Sequence, residues 1–206
     1  MSGIDFAAWL AVPVGAVGAV VATLAWRTSA GARRDQAEAE ATRRHREMRP
    51  ELEVAIDLRF GPDSGVLMVK LVGPREVERY DWIRVEIRDD KERPPPRMGS
   101  GVSVEQQRRQ VWGPFWFRHG IDGGSEDRRS AEQGENAVTD TWLFSIDRTL
   151  APHWYSGGNR AWRKDYEGAP MRLRIEVGLG NQSWTEIVEV PPPTRSAYEH
   201  GDLTVV

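Results

Sequence analysis

No cysteine occurs in the 206 residues, which excludes a disulfide framework, a thiolate metal site and a cysteine nucleophile. Its absence leaves the redox compartment open. Histidine is scarce. His45, His119, His153 and His200 show no H-x-x-x-H or H-E-x-x-H spacing, so no zincin-type centre is encoded. No G-x-S-x-G, P-loop or G-x-G-x-x-G stands in the chain, so neither a nucleophile elbow nor a glycine-rich phosphate cradle is expected. Lysine is nearly missing as well: Lys70, Lys91 and Lys164 are the only ones among 28 basic residues, a skew that reads as a GC-rich genome. A strongly basic face is also lacking. The formal net charge is −3. From Glu51 onward 21 basic residues face 26 acidic ones, a net of −5, which is a poor footprint for nucleic acid. No cofactor and no metal are implied.

Long hydrophobic runs are limited to one. "FAAWLAVPVGAVGAVVATLAW", Phe6 to Trp26, is 21 residues without a charge. As a helix it would span roughly 30 Å, the thickness of the bilayer's hydrocarbon core. Trp9 and Trp26 stand near its ends, where indole favours the interface. Ala30-Gly31-Ala32 resembles a signal-peptidase cut site. However, only Asp5 precedes the run, no basic n-region exists, and Arg27 interrupts the approach. The run therefore reads as a retained anchor over residues 1–27. Arg27, Arg33 and Arg34 follow it. Basic flanks stay on the cytoplasmic side, so the expected topology is amino terminus outside and the rest of the chain in the cytoplasm at the cell membrane. Ala7, Ala11, Gly15, Ala19 and Thr23 recur at helical spacing. Ala11, Gly15 and Ala19 form the heart of a seam through which two such helices would approach closely and form a homo-oligomer.

Residues 28–49 read as a polar helical stalk. Between Arg27 and Pro50 there are 7 arginines and 4 acids, a net of +3. Glu38/Thr42 and Glu40/Arg44 are i, i+4 steps, the second an ion pair. Membrane lipid is an expected partner of these arginines, at about 1 kcal/mol each near an anionic surface. Pro50 marks the start of a domain over residues 50–193, and residues 194–206 read as a loose tail.

In the domain the hydrophobic period becomes two. "ELEVAIDLRF" puts Leu52, Val54, Ile56, Leu58 and Phe60 on one face. "GVLMVKLVG" is apolar on both faces, as a central strand is. "YDWIRVEIRDD" sends Ile83, Val85 and Ile87 inward and Arg84, Glu86 and Arg88 outward. "RPPPR" (93–97) cannot join a ladder. Ser103 and Gln106 form a candidate capping box opening a short helix through Gln110. "FWFRH", "DTWLFSID", "MRLRIEVGL" and "SWTEIVEV" are further strands, and "GNRAWRKDYEG" a short helix or turn. The prolines at 191–193 end the fold. The expectation is a mainly β domain, an antiparallel β-sandwich that is immunoglobulin-like in the broad sense. A partly open barrel is the alternative.

At "LVGPREVERYDWIRVEIRDD", "VWGPFWFRHGIDG" and "RAWRKDYEGAPMRLRIEV…W" the chain resembles a family of uncharacterised actinobacterial proteins. The resemblance covers about residues 50–193. It implies a small β-rich domain, in many members behind a membrane span, and no activity. Members usually carry a basic or small residue between the two aromatics of the "WGP" segment; Trp116 makes that segment more apolar here.

Three roles follow as expectations. In the first, the cytoplasmic domain is an interaction module for a protein partner not identified by the sequence. Phe115 and Phe117 would point inward and leave Trp116 outward beside Arg118, while Trp82 alternates outward beside Arg84; an exposed Trp flanked by Arg is a common binding anchor. In the second, His119 and Asp122 serve a membrane-bound hydrolase, although "HGIDGGSEDRRS" reads as a polar surface loop. In the third, the domain only caps an oligomeric span. Asp122, Glu126 and Asp127 lack EF-hand spacing, and Asp89-Asp90 reads as a strand end.

Overall fold

The computed structural model describes residues 34–58, 61–89 and 101–192. The anchor stretch with Ala11, Gly15 and Ala19, its flanking Arg27 and Arg33, Phe60, Asp90, the 93–97 proline loop and the 194–206 tail lie outside the described residues. Among the described residues no helix is long and apolar enough to cross a membrane. The described chain falls into two units that part between Glu47 and Met48.

The described residues of the first unit form helix α1, residues 34–47. Alanine, glutamate and arginine favour helix, and i, i+4 pairs run along it. Arg43 meets Glu47 at 2.7 Å and Arg44 meets Glu40 at 2.5 Å. The Thr42 hydroxyl donates to the Glu38 carbonyl. With almost every residue exposed, α1 buries no apolar face.

The second unit is mainly β with antiparallel sheets. Its elements are β1 (Glu51–Asp57), β2 (Ser64–Gly73), β3 (Arg79–Tyr80), β4 (Trp82–Ile87), α2 (Val104–Arg109), β5 (Phe115–Phe117), β6 (Ser130–Gln133), β7 (Asn136–Ala137), β8 (Thr141–Arg148), α3 (Gly158–Asp165), β9 (Met171–Leu179) and β10 (Gln182–Val190). One four-stranded sheet has the order β1-β2-β8-β5 and a second the order β10-β9-β4-β6, with β3 and β7 forming a short ribbon. Period-two alternation explains the faces. Ile56, Leu67, Val69, Leu71, Trp142, Phe144 and Ile146 of the first sheet share one core with Ile83, Val85, Ile87, Leu173, Ile175 and Val177 of the second. Each such side chain contributes about 1.5–3 kcal/mol by leaving water. Tyr80 lies wholly buried in this core, its hydroxyl donating to the Met48 carbonyl, and burial pushes the phenol up to about 12.

A satellite core sits under α3. Trp112, Trp162 and Tyr166 are buried there, with Tyr155 packed against them. The indole N–H of Trp162 donates to Thr149 Oγ1 at 2.8 Å, and the Thr149 hydroxyl in turn donates to the Gly113 carbonyl. The Ser103–Gln106 capping box is present at the start of α2. Residues 119–129 of the segment read as a polar surface loop form turns and loop, and its last residue, Ser130, opens β6 beside β4.

Gly178 has a packing reason. It stands directly opposite Trp82, and a Cβ there would come within 2.1 Å of the indole ring. The ring lies over bare backbone, an arrangement that covers a strand glycine with aromatic surface. Gly178→Ala is expected to displace Trp82 at a cost of about 1–3 kcal/mol, since overpacking forces neighbours off their rotamers. Urea denaturation with Trp fluorescence checks this; a neutral substitution would mean that the ring is not held against Gly178.

Candidate protein-interaction surface

The register assigns every outward side chain to a row across its sheet, because directly opposed residues share a face. On the second sheet these rows are charged. Glu132, Arg84, Glu176 and Thr185 form one, and Ser130, Glu86, Arg174 and Ile187 the next; Arg172 faces Glu189 in a third. Signs alternate across neighbours, and Arg172 meets Glu189 at 3.0 Å. This is a solvated face.

The outer face of the first sheet is different. Ala55, Met68 and Leu143 form one row, and Asp57, Val66 and Ser145 the next. Above them run Glu53, Lys70 and Thr141; below run Ser64, Asp147 and Trp116. Four apolar side chains are thus contiguous at the middle of the sheet. Leu143 keeps 50% of its surface exposed, Ala55 is exposed, and Val66 and Met68 are half-buried. None of the four belongs to the core or packs against it. The rim of the patch carries both signs: Glu53 faces Lys70 at 3.6 Å, Asp147 meets Arg118 at 2.8 Å, and Asp57 lies on β1.

The residues singled out in the sequence fall around this geometry. Phe115 and Phe117 are buried and Trp116 faces outward from β5. Its ring is half-buried, with the Arg128 guanidinium stacked 4.7 Å from the ring centre. Arg118 is held within its own sheet. Its guanidinium donates to both Asp147 carboxylate oxygens at 2.8–3.0 Å and to Ser64 Oγ at 3.0 Å. Trp82 lies half-buried over Gly178 on the other sheet, and Arg84 is exposed between Glu132 and Glu176. The two Trp–Arg pairs therefore belong to opposite faces of the domain. Val66, Met68 and Leu143 were not singled out in the sequence, although each is an apolar residue at a position where period two calls for a polar one.

Burial pushes the Asp147 carboxyl up, but the hydrogen bonds from Arg118 and Ser64 outweigh it and hold the group below its ordinary range. A carboxylate lowered in the folded state adds stability above its unfolded pKa of about 4, and that stability is lost as pH falls through the folded value. The group is a third exposed, which keeps the contribution under about 1 kcal/mol. The stability difference between the native chain and Asp147→Asn is therefore expected to shrink as pH falls below about 4, measured by urea denaturation at pH 7 and pH 3. A gap that stays constant would contradict the pairing.

His119 and Asp122 are used separately. His119 Nδ1 lies 3.3 Å from the Ser125 carbonyl in an exposed loop. Asp122 Oδ2 accepts from both the N–H and the hydroxyl of Ser145. Among the described residues no hydrogen bond joins the two. A shallow, open cleft of about 600 Å³ is lined by Asp122, Gln133, Glu135, Thr141 and Leu143, among others, and does not include His119. Asp127 is held by Ser125 Oγ and the Arg129 N–H. Among the described residues no cluster of three His, Cys, Asp or Glu side chains could hold a metal ion. Comparison of the chain with protein-family models, curated proteins and solved structures finds no match, and the resemblance noted above rests on its motifs alone.

Proposed function

We propose that this protein is a single-pass membrane protein whose β domain, on the cytoplasmic side, binds a partner protein through the outer face of the first sheet. The membrane arrangement draws on the uncharged stretch from Phe6 to Trp26 and the arginines after it. The domain is read as a sandwich, immunoglobulin-like in the broad sense, from its two four-stranded sheets around one core. The observation that carries the interaction role is the asymmetry between the two outer faces. Both sheets send side chains into one core, yet only the first gathers four contiguous apolar residues on its outer face, while Trp82 and Ile187 stand in separate rows of the second. An apolar patch with a charged rim matches a contact surface with a desolvated middle and a polar edge. It favours a partner that presents apolar side chains ringed by polar groups of both signs.

A benzophenone side chain installed at position 143 of the full chain tests the reading, with position 187 on the charged face as control. Ile187 is 62% exposed, so accessibility does not separate the two positions. Irradiation of living cells is expected to give a discrete adduct from 143 and none from 187. No adduct from 143, or the same adducts from both, would remove the support for this surface.

A further inference from the structure

The domain guards most of its sheet edges. On β10 the inward-pointing Glu186 is gripped by Arg49 at 2.6 and 2.8 Å, an ion pair that an added strand would have to bury. β1 turns the exposed acids Glu51 and Glu53 outward. The free side of β6 is taken by residues 123–125: the Glu132 N–H donates to the Gly123 carbonyl and the Ser125 N–H to the Ser130 carbonyl. Half of one edge is left. β5 covers only Ile146–Arg148 of β8. Ser145 is occupied as well, its carbonyl accepting the Arg118 N–H at 3.0 Å, and the stretch from Thr141 to Leu143 faces the 600 Å³ cleft.

Side chains fill part of that edge in the manner of a strand. Asp122 accepts the Ser145 N–H at 2.9 Å, as a strand carbonyl would. Gln133 Nε2 donates to the Leu143 carbonyl at 2.6 Å, as a strand amide would. Antiparallel alternation points the Leu143 N–H and the Thr141 main chain the same way, and these have no hydrogen-bond partner among the described residues. Asp122 and Glu135 are the ionisable groups of the lining, and both are carboxylates. Glu135 is shared with Arg79 at 2.8 Å, but a carboxylate has about four acceptor sites, so each can take a further donor.

We propose that this cleft receives an extended peptide segment of a partner protein as an added strand on β8, in line with β5, with a lysine or arginine side chain directed at Asp122 and Glu135. Main-chain hydrogen bonds supply the grip and the carboxylates select the cation, the division of labour of strand addition. Gln133 is the displaceable placeholder, leaving the Leu143 carbonyl when a peptide N–H arrives. The assignment does not rest on the outer-face reading.

The test uses the full chain in detergent and a displayed library of random decapeptides. Gly134→Trp is the blocked control, because Gly134 lines the cleft and a Cβ there meets nothing within 4 Å; an unchanged melting temperature shows that the variant keeps the fold. Selected peptides are expected to share one Lys or Arg position and to slow exchange of the Leu143 amide at least about tenfold. They should also lose about tenfold or more in affinity when alternate peptide amides are N-methylated, or on Gly134→Trp. Met68→Asp, on the outer face, should leave their affinity within about twofold. If no peptide distinguishes the native chain from Gly134→Trp, or bound peptides leave Leu143 exchange unchanged, the cleft is not a strand acceptor. Loss of binding on Met68→Asp would move the site to the outer face and overturn the assignment equally.

Discussion

Trp162→Ala is expected to destabilise the folded domain by about 4 kcal/mol, lowering its melting temperature by roughly 10–15 °C. The indole is 1% exposed. It packs with ring centroids 4.8–5.1 Å from Trp112, Tyr155 and Tyr166, so its removal opens a cavity bounded by three other rings. It also takes away the donor that engages Thr149 Oγ1. The satellite core contains little else, and its neighbours cannot collapse far because Tyr155 is tied to Asp165 by its hydroxyl. Thermal unfolding of the full chain followed by near-UV circular dichroism measures the loss. Trp162→Phe, which keeps a ring in place, should lose less than half as much. A loss below about 1 kcal/mol for the alanine variant would mean that α3 is held by something other than this ring.

Arg129→Ala is expected to cost about 2–3 kcal/mol, because it removes the donor of several charge-assisted hydrogen bonds at a largely shielded site. Arg129 and Asp89 retain only 14% and 16% of their side-chain exposure. The guanidinium reaches Asp89 Oδ1 at 3.0 Å, the Ile87 carbonyl at 3.3 Å and the Gln110 carbonyl at 2.7 Å. Asp89 Oδ1 also accepts the Trp112 N–H at 3.0 Å. One arginine thus fastens the end of β4, the exit of α2 and the start of the satellite core. Lysine cannot replace it, since one ammonium cannot face three acceptors in a planar fork. In a double-mutant cycle with Asp89→Ala the two losses should fall short of adding by about 1–3 kcal/mol. Additive losses in urea denaturation would show that the pair is not coupled.

Much of this fold was readable from residue order. The alternation of Leu52/Val54/Ile56, Ile83/Val85/Ile87 and Leu173/Ile175/Val177 is strong because each strand has one dry face and one wet face. Ser103 and Gln106 announced α2 through a purely local hydrogen-bond pattern. β6 and β7 were not readable. "SAEQ" and "NA" carry almost no apolar signal, and β6 exists because the register with β4 brings Ala131 opposite Val85. Arg129 stood in a run of charges that looked solvated; only the chain's return to β4 gives it Asp89. The outer-face patch was half readable. "GVLMVKLVG" showed two apolar faces, which placed β2 inside a sheet correctly, but among the described residues no second layer packs on its outer face. Leu143 carries the same signal in β8, and the two strands had to be set in register before Met68 and Leu143 became neighbours. The β8 cleft left no mark in the sequence, because it depends on β5 being only three residues long.

Oxidation of Met68 by hydroxyl radicals, compared between intact cells and the purified full chain, tests the interaction role most directly. Met48, also half-buried and in the same unit, serves as the internal reference. If the outer face of the first sheet is occupied in the cell, Met68 oxidation relative to Met48 should fall by about fivefold or more, as expected for the desolvated middle of an interface. An unchanged ratio would leave that face bare in the cell and contradict the account.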